Sequence, residues 1–203
     1  MEQTKQKNKL DQFWNWLWHS DSILSWIVAL ALAFVVVKFI FFPTLSFLFG
    51  TSLPLVVVES SSMEHPGSFV GNVIGTEDNF KLWWQEKGDW YEQNNIDKED
   101  TKTWSLKTGF DKGDIIIVYG RFQPEVGDVI IFNANTQHPI IHRIISIDDK
   151  TGTIQTKGDN NDGQLPVEKS ISKNDLVGKA VFRIPKLGWI KLAFVEIVNA
   201  FSR

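Results

Sequence analysis

Cysteine is absent from this 203-residue chain. That removes disulfides, thiolate metal sites and cysteine nucleophiles together. An excess of positive charge is also missing, since 21 Lys and Arg stand against 24 Asp and Glu for a formal net charge of -3. Nucleic-acid affinity usually rests on a basic surface, so no nucleic-acid partner is expected. No glycine-rich loop opens a helix to cradle phosphate, and His65 and His138 lack a third ligand at a metal-binding spacing. Neither a cofactor nor a metal is expected. Disorder is excluded by composition, because 43% hydrophobic residues are enough to build a core. Tyrosine is scarce, with two, whereas tryptophan numbers nine and is unevenly spread. Trp14, Trp16, Trp18 and Trp26 lie near the start, Trp83, Trp84, Trp90 and Trp104 in the middle, and Trp189 near the end.

The mean hydropathy of -0.12 averages over a sharply divided chain. Residues 23–49 are mostly apolar, and the first fifteen of them carry one polar side chain, Ser25. A spanning helix needs roughly 20 such residues, and the run supplies them even with Lys38 snorkelling and Pro43 ending the helix early. A transmembrane anchor is expected rather than a cleaved signal peptide, because the lead-in is long and no clear small-residue cleavage site follows. Lys5, Lys7 and Lys9 precede the run, and no Lys or Arg occurs from Phe39 to Asn79. By the positive-inside rule the amino terminus is cytoplasmic, the chain is single-pass, and the rest is extracytoplasmic. Residues 1–22 then form an interfacial lead-in, with Phe13, Trp14, Leu17 and Trp18 on one helical face.

Residues 50–184 change character to short runs separated by glycine, asparagine and aspartate, the pattern of a mainly β domain. Strands are expected at 53–60, 114–119, 128–133, 139–147, 153–157 and 176–184. Residues 65–112 interrupt them with an aromatic-rich stretch in which Phe80, Trp83, Trp84, Trp90 and Tyr91 suit a helix packed on the sheet. This small helical insertion is expected to cap the peptide groove or rest on the bilayer. Residues 185–203 read as an amphipathic segment too broken by polar residues to span.

Two places carry nucleophilic chemistry. Val58-Glu59-Ser60-Ser61-Ser62-Met63 closes an apolar strand, and continued extension would turn Ser60 and Ser62 to one face. One hydroxyl could attack while the other donates to an oxyanion, although serines are also common at strand ends. The second place is the strand around His142 and Arg143, which returns as a hairpin through Thr153 to Lys157. Pairing Ile147 with Thr153 sets His142 opposite Gly158 and leaves Asp159 one residue away. A slip of one residue would reverse the facing.

The Ser60 to Met63 segment, Gly113-Asp114 and Gly127-Asp128 before apolar runs, His142-Arg143 and Lys157-Gly158-Asp159-Asn160-Asn161 occur in the order seen in type I signal peptidases. The resemblance covers most of residues 23–184 apart from the insertion, and histidine before the arginine resembles the archaeal and endoplasmic-reticulum type. It implies a mainly β catalytic domain of antiparallel sheets behind a transmembrane helix, acting as a serine endopeptidase that removes signal peptides after small residues. It implies Ser62 as nucleophile, His142 as general base and Asp159 as the supporting carboxylate, with Ser60 and Met63 at the oxyanion and substrate-binding positions. A further family aspartate falls at Leu165 here, and Asp162 is the nearby substitute. His65 stands where the family usually has proline and is a rival base. Signal-peptide-bearing preproteins and the lipid bilayer are the implied partners, and accessory subunits are an addition that the sequence itself does not identify. Two alternatives stay open: a catalytically inactive peptide-binding module, and a serine-lysine protease using Lys157.

Overall fold

The computed structural model describes residues 8 to 201 and divides into two compact units, one ending at Leu48 and one beginning at Phe49. Lys5 and Lys7, on which part of the orientation rests, lie outside the described residues. In the first unit, helix α1 (Lys9–His19) is capped by Asn8 and helix α2 (Ile23–Val36) by Ser22, whose hydroxyl accepts from Leu24 N–H. On α1, Leu17 is buried, while Phe13, Trp14 and Trp18 are exposed.

Helix α2 continues through a π turn at Val37–Phe41 into helix α3 (Phe42–Phe49). Pro43 does not end the helix, because the wider turn absorbs it. Phe42 N–H bonds the Val37 carbonyl five residues back, and the proline ring then enters without the usual clash. The resulting Ile23–Phe49 stretch has 27 residues, and its most apolar 18-residue window has a mean hydropathy of 2.6. At 1.5 Å per residue it is about 40 Å long, long and apolar enough to cross a bilayer.

The second unit is built on one antiparallel sheet of strands β1 (Leu55–Val57), β2 (Ile115–Tyr119), β3 (Val129–Phe132), β4 (Ile140–Ile147), β5 (Ile154–Lys157) and β6 (Leu176–Ile184). Their order is β1-β2-β6-β3-β4-β5, so the expected mainly β domain is present as a single six-stranded sheet. The first strand is shorter than expected because the chain bends away after Val57, while Val58 N–H still bonds the Asp114 carbonyl. The β4–β5 hairpin pairs Arg143 with Lys157 and Ile144 with Thr156, the expected alignment next to His142. A bulge between Ile144 and Ser146 then moves Ile147 from Thr153 to Ile154. One sheet face packs Val58, Met63, Phe110, Ile116, Val129, Ile131 and Ile141 into a core; Ile130, Phe132, Ile144, Ile154 and Ile171 form another cluster.

The insertion holds helices α4 (Phe69–Ile74), α5 (Glu77–Gln93) and α6 (Lys98–Thr101). Gly75 ends α4 at φ 72°, a left-handed conformation that glycine adopts without strain, and Thr76 and Asn79 form a capping box for α5. Phe80, Trp83, Trp84 and Tyr91 share the buried face of α5 and pack with Ile96, Trp104 and Ile145 of β4. Helix α7 (Trp189–Phe201) follows β6 and is tied to the domain at its start, with Leu192 buried and Lys191 Nζ 3.1 Å from Glu59 Oε1.

Candidate active site

Successive residues of a strand point to opposite faces, and this decides which groups meet at β4. His142 turns its Nε2 to Ser62 Oγ at 2.9 Å and its Nδ1 to Glu168 Oε1 at 2.5 Å. Arg143 turns the other way and is gripped by Asp159, Nε to Oδ1 at 2.9 Å and Nη2 to Oδ2 at 2.7 Å. The expectation that Asp159 orients His142 is therefore corrected. A position one residue from the point opposite His142 lies on the Arg143 face, so a carboxylate there reaches the guanidinium instead.

Glu168 is the residue that sequence reasoning missed. It is fully buried at the end of the short 3-10 helix Pro166–Glu168, which begins with proline. Its Oε2 accepts Leu165 N–H at 2.6 Å, and its Oε1 also accepts the Thr156 hydroxyl at 3.1 Å. The available signal was a helix-start pattern, proline at the first position with glutamate two residues on, reaching back to cap the turn.

The nucleophile loop is held from below. Asn160 N–H donates to the Ser62 carbonyl at 2.8 Å, and the Asn160 amide donates to the Ser61 carbonyl at 3.1 Å. Ser60 Oγ lies 3.1 Å from Ser62 Oγ, so both hydroxyls share one side although the segment is no longer a strand. Met63 is corrected to a core anchor: it is fully buried in the main cluster, and its sulfur accepts Asp159 N–H at 3.4 Å. Asp162 is exposed and paired with Lys87 at 2.6 Å, whereas the His142 ring bonds Ser62 and Glu168. His65 is buried, with Nε2 3.0 Å from Asp159 Oδ2. It thus has the carboxylate that its sequence context did not suggest, but its bond is to Asp159 and not to Ser62.

Electrostatics separate these groups. Burial works against a charge on Asp159, yet the Arg143 guanidinium and the bonds from His65 and Arg143 hold its carboxyl well below the usual range. Burial lowers His65, and the Asp159 bond only partly opposes it. Lys157 is pulled down to about 8 by burial. Its ammonium donates to the Gly158 carbonyl at 3.0 Å and sits 4.7 Å from the Tyr91 ring, a placement that gives a serine-lysine pairing no support.

Ser60, Ser62 and His142 open onto a groove of about 630 Å3 that also meets Leu55, Val57 and Ile140. Val118 N–H bonds the Pro54 carbonyl and Val58 N–H bonds the Asp114 carbonyl. This parity leaves the polar backbone groups of Leu55 and Val57 facing the open edge of β1. No residue between 65 and 112 lines the groove, so the expected groove cap is corrected: the insertion's aromatic face packs behind Arg143 and Asp159.

The resemblance to signal peptidases of the archaeal and endoplasmic-reticulum type is supported by similarity to curated proteins. No family model matches the chain. Among curated proteins it is similar to the signal peptidase complex catalytic subunit SEC11 of Lachancea thermotolerans, 34% identical over 104 residues. That alignment takes in 45% of this chain and 62% of the relative. The SEC11 subunits of Scheffersomyces stipitis (33% identical, 46% of this chain and 63% of the relative) and Clavispora lusitaniae (34%, 45% and 61%) are similar to it as well. The chain thus spans less than two thirds of the length of the curated relatives it matches.

Proposed function

We propose that this protein is a membrane-anchored serine endopeptidase that removes signal peptides from preproteins. The carrying observation is the continuous line from Ser62 Oγ through His142 to Glu168, at 2.9 and 2.5 Å. Similarity to SEC11 catalytic subunits supports the substrate class.

In this reading a substrate segment extends along β1 and bonds the open backbone groups of Leu55 and Val57, as strand addition does. Ser62 Oγ attacks the scissile carbonyl while neutral His142 accepts its proton at Nε2. Glu168 holds the proton on Nδ1 and stabilises the imidazolium that forms. The oxyanion meets the Ser62 backbone N–H and the Ser60 hydroxyl. Collapse of the tetrahedral species breaks the peptide bond, His142 returns the proton to the leaving amine, and an acyl group remains on Ser62. Water, deprotonated by His142, then attacks the ester, and the carboxylic product leaves with Ser62 reprotonated.

The Ile23–Phe49 helix is the anchor, and the rule of positive loops places the amino terminus in the cytoplasm and the sheet outside. A preprotein tethered by its own apolar segment then reaches the site at raised effective concentration. The relatives' name describes a complex, so accessory subunits join the proposed partners. The test incubates detergent-solubilised protein with a preprotein beside Ser62→Ala and His142→Ala. Cleavage by the wild type alone is expected; equal cleavage by Ser62→Ala would sink the proposal.

A further inference from the structure

Asp159 is a knot as well as an ion-pair partner. Its two oxygens take Arg143, the neighbour of His142, and His65, which stands three residues after Ser62. Its carbonyl accepts the Trp83 indole N–H at 2.9 Å, and the next residue, Asn160, clamps the Ser61 and Ser62 carbonyls. His65 joins these elements. Its ring stacks on Trp83 with centroids 4.6 Å apart and planes 3° from parallel, while Nε2 bonds Asp159. Gly109 makes room for it, since a Cβ there would fall 2.4 Å from the imidazole Cδ2.

Its other nitrogen, Nδ1, is buried and has no hydrogen-bond partner among the described residues. A buried acceptor left unpaired opposes folding, and an apolar side chain would avoid that cost. What histidine supplies here is the single N–H aimed at Asp159. The insertion reinforces the same pair from other sides. Arg143 Nη1 and Nη2 donate to the Ser105 and Leu106 carbonyls, and the guanidinium lies 5.2 Å from the Trp104 ring.

We propose that His65 is a positioning residue: stacked on Trp83 and bonded to Asp159, it couples the helical insertion to the loop that holds Ser62 in line with His142. This rests on the serine reading above, so its test carries a readout that does not require preprotein cleavage. The chain has no cysteine, and Ser62→Cys therefore installs a single thiol at the nucleophile position. In solubilised full-length protein, its alkylation by iodoacetamide is followed against pH, because a well-placed imidazole lowers a thiol's midpoint below its free value of about 8.5.

Adding His65→Leu is expected to move that midpoint up by at least about half a unit toward the free value. In the native Ser62 background the same change is expected to lower kcat about tenfold or more with KM held within about twofold, the signature of lost transition-state alignment. His65→Gln, which keeps an N–H donor at the reach of Nε2, is expected to restore most of both. Trp83→Phe keeps an aromatic surface, loses the bond to the Asp159 carbonyl, and is expected to shift the midpoint the same way; it decides the matter if His65→Leu does not fold. An alkylation profile unchanged in either His65→Leu or Trp83→Phe overturns the proposal, as does a His65→Gln profile displaced as far as that of His65→Leu. If the wild type cleaves no preprotein, the endopeptidase reading fails while the alkylation arms still decide the role of His65.

Discussion

Replacing Glu168 by glutamine changes one atom and tests which carboxylate serves His142. Glu168 Oε2 accepts the Leu165 N–H at 2.6 Å, while Oε1 faces His142 Nδ1 at 2.5 Å and the Thr156 hydroxyl at 3.1 Å. Glutamine has one acceptor oxygen for these two ends. With its NH2 toward Leu165, two buried donors would meet, at a cost of about 1–3 kcal/mol. With its oxygen toward Leu165, the NH2 faces Thr156, whose hydroxyl can turn to accept, and His142, which must then present a lone pair at Nδ1. The second arrangement is the cheaper, and it moves the imidazole proton to Nε2, facing Ser62. A base already carrying a proton at Nε2 cannot take one from the serine. Wrong-tautomer changes of this kind lower kcat by about 10^4, which at 1.36 kcal/mol per decade is about 5 kcal/mol of barrier. The assay is single-turnover cleavage of a preprotein by folded Glu168→Gln protein, with KM compared in the steady state. A kcat within about threefold of the wild type would refute the assignment of Glu168, since only an unaltered tautomer permits it.

Gly158→Ala is expected to lower kcat by at least about 100-fold, because small displacements of reacting groups are that costly: its Cβ would lie 2.8 Å from both His142 Nε2 and the Ser62 carbonyl oxygen. Gly163→Ala is the control, its Cβ meeting only Trp90 Nε1 at 3.9 Å, and kcat is expected to stay within about twofold. Asp162→Ala is expected to leave kcat within about twofold as well, since Asp162 is exposed and pairs with Lys87 while His142 bonds Ser62 and Glu168. Lys157 is held near 8 by burial, below the ordinary 10.5. Between those values the unfolded chain binds a proton that the native protein does not, so the wild type gains stability relative to Lys157→Met as pH rises from about 8 to about 10.5. The gain is on the order of 3 kcal/mol, measured as the difference in unfolding free energy across that window, and a difference that is flat with pH would contradict a buried, depressed amine.

The strands were legible because β-branched runs bounded by glycine and aspartate leave little choice of element, and β6 occupies the expected 176–184. Ser62 and His142 were legible too, one at the end of an apolar strand and the other inside one, and the structure brings them into hydrogen-bond contact. Asp159 was misassigned for a reason that strand geometry makes plain. The hairpin alignment at Arg143 and Lys157 is as expected, but alternation assigns adjacent side chains to opposite faces, and Asp159 falls with Arg143. Glu168 was hidden because its position depends on a turn after β5 and not on any strand periodicity. The insertion's helix was visible in its aromatic spacing, whereas its contacts with Asp159 and Arg143 join residues far apart in the chain and leave no local pattern.

Acylation of Ser62 during the reaction can be measured directly. Solubilised protein is mixed with excess preprotein, quenched in acid within the first turnovers and digested for mass spectrometry. Acylation at Ser62 predicts a peptide containing Ser62 that carries the mass of the signal-peptide acyl fragment, accumulating in Gly158→Ala and His142→Ala far less than in wild type and absent in Ser62→Ala. Efficient cleavage by Ser62→Ala, or an acyl fragment mapped to another residue of the chain, would contradict it.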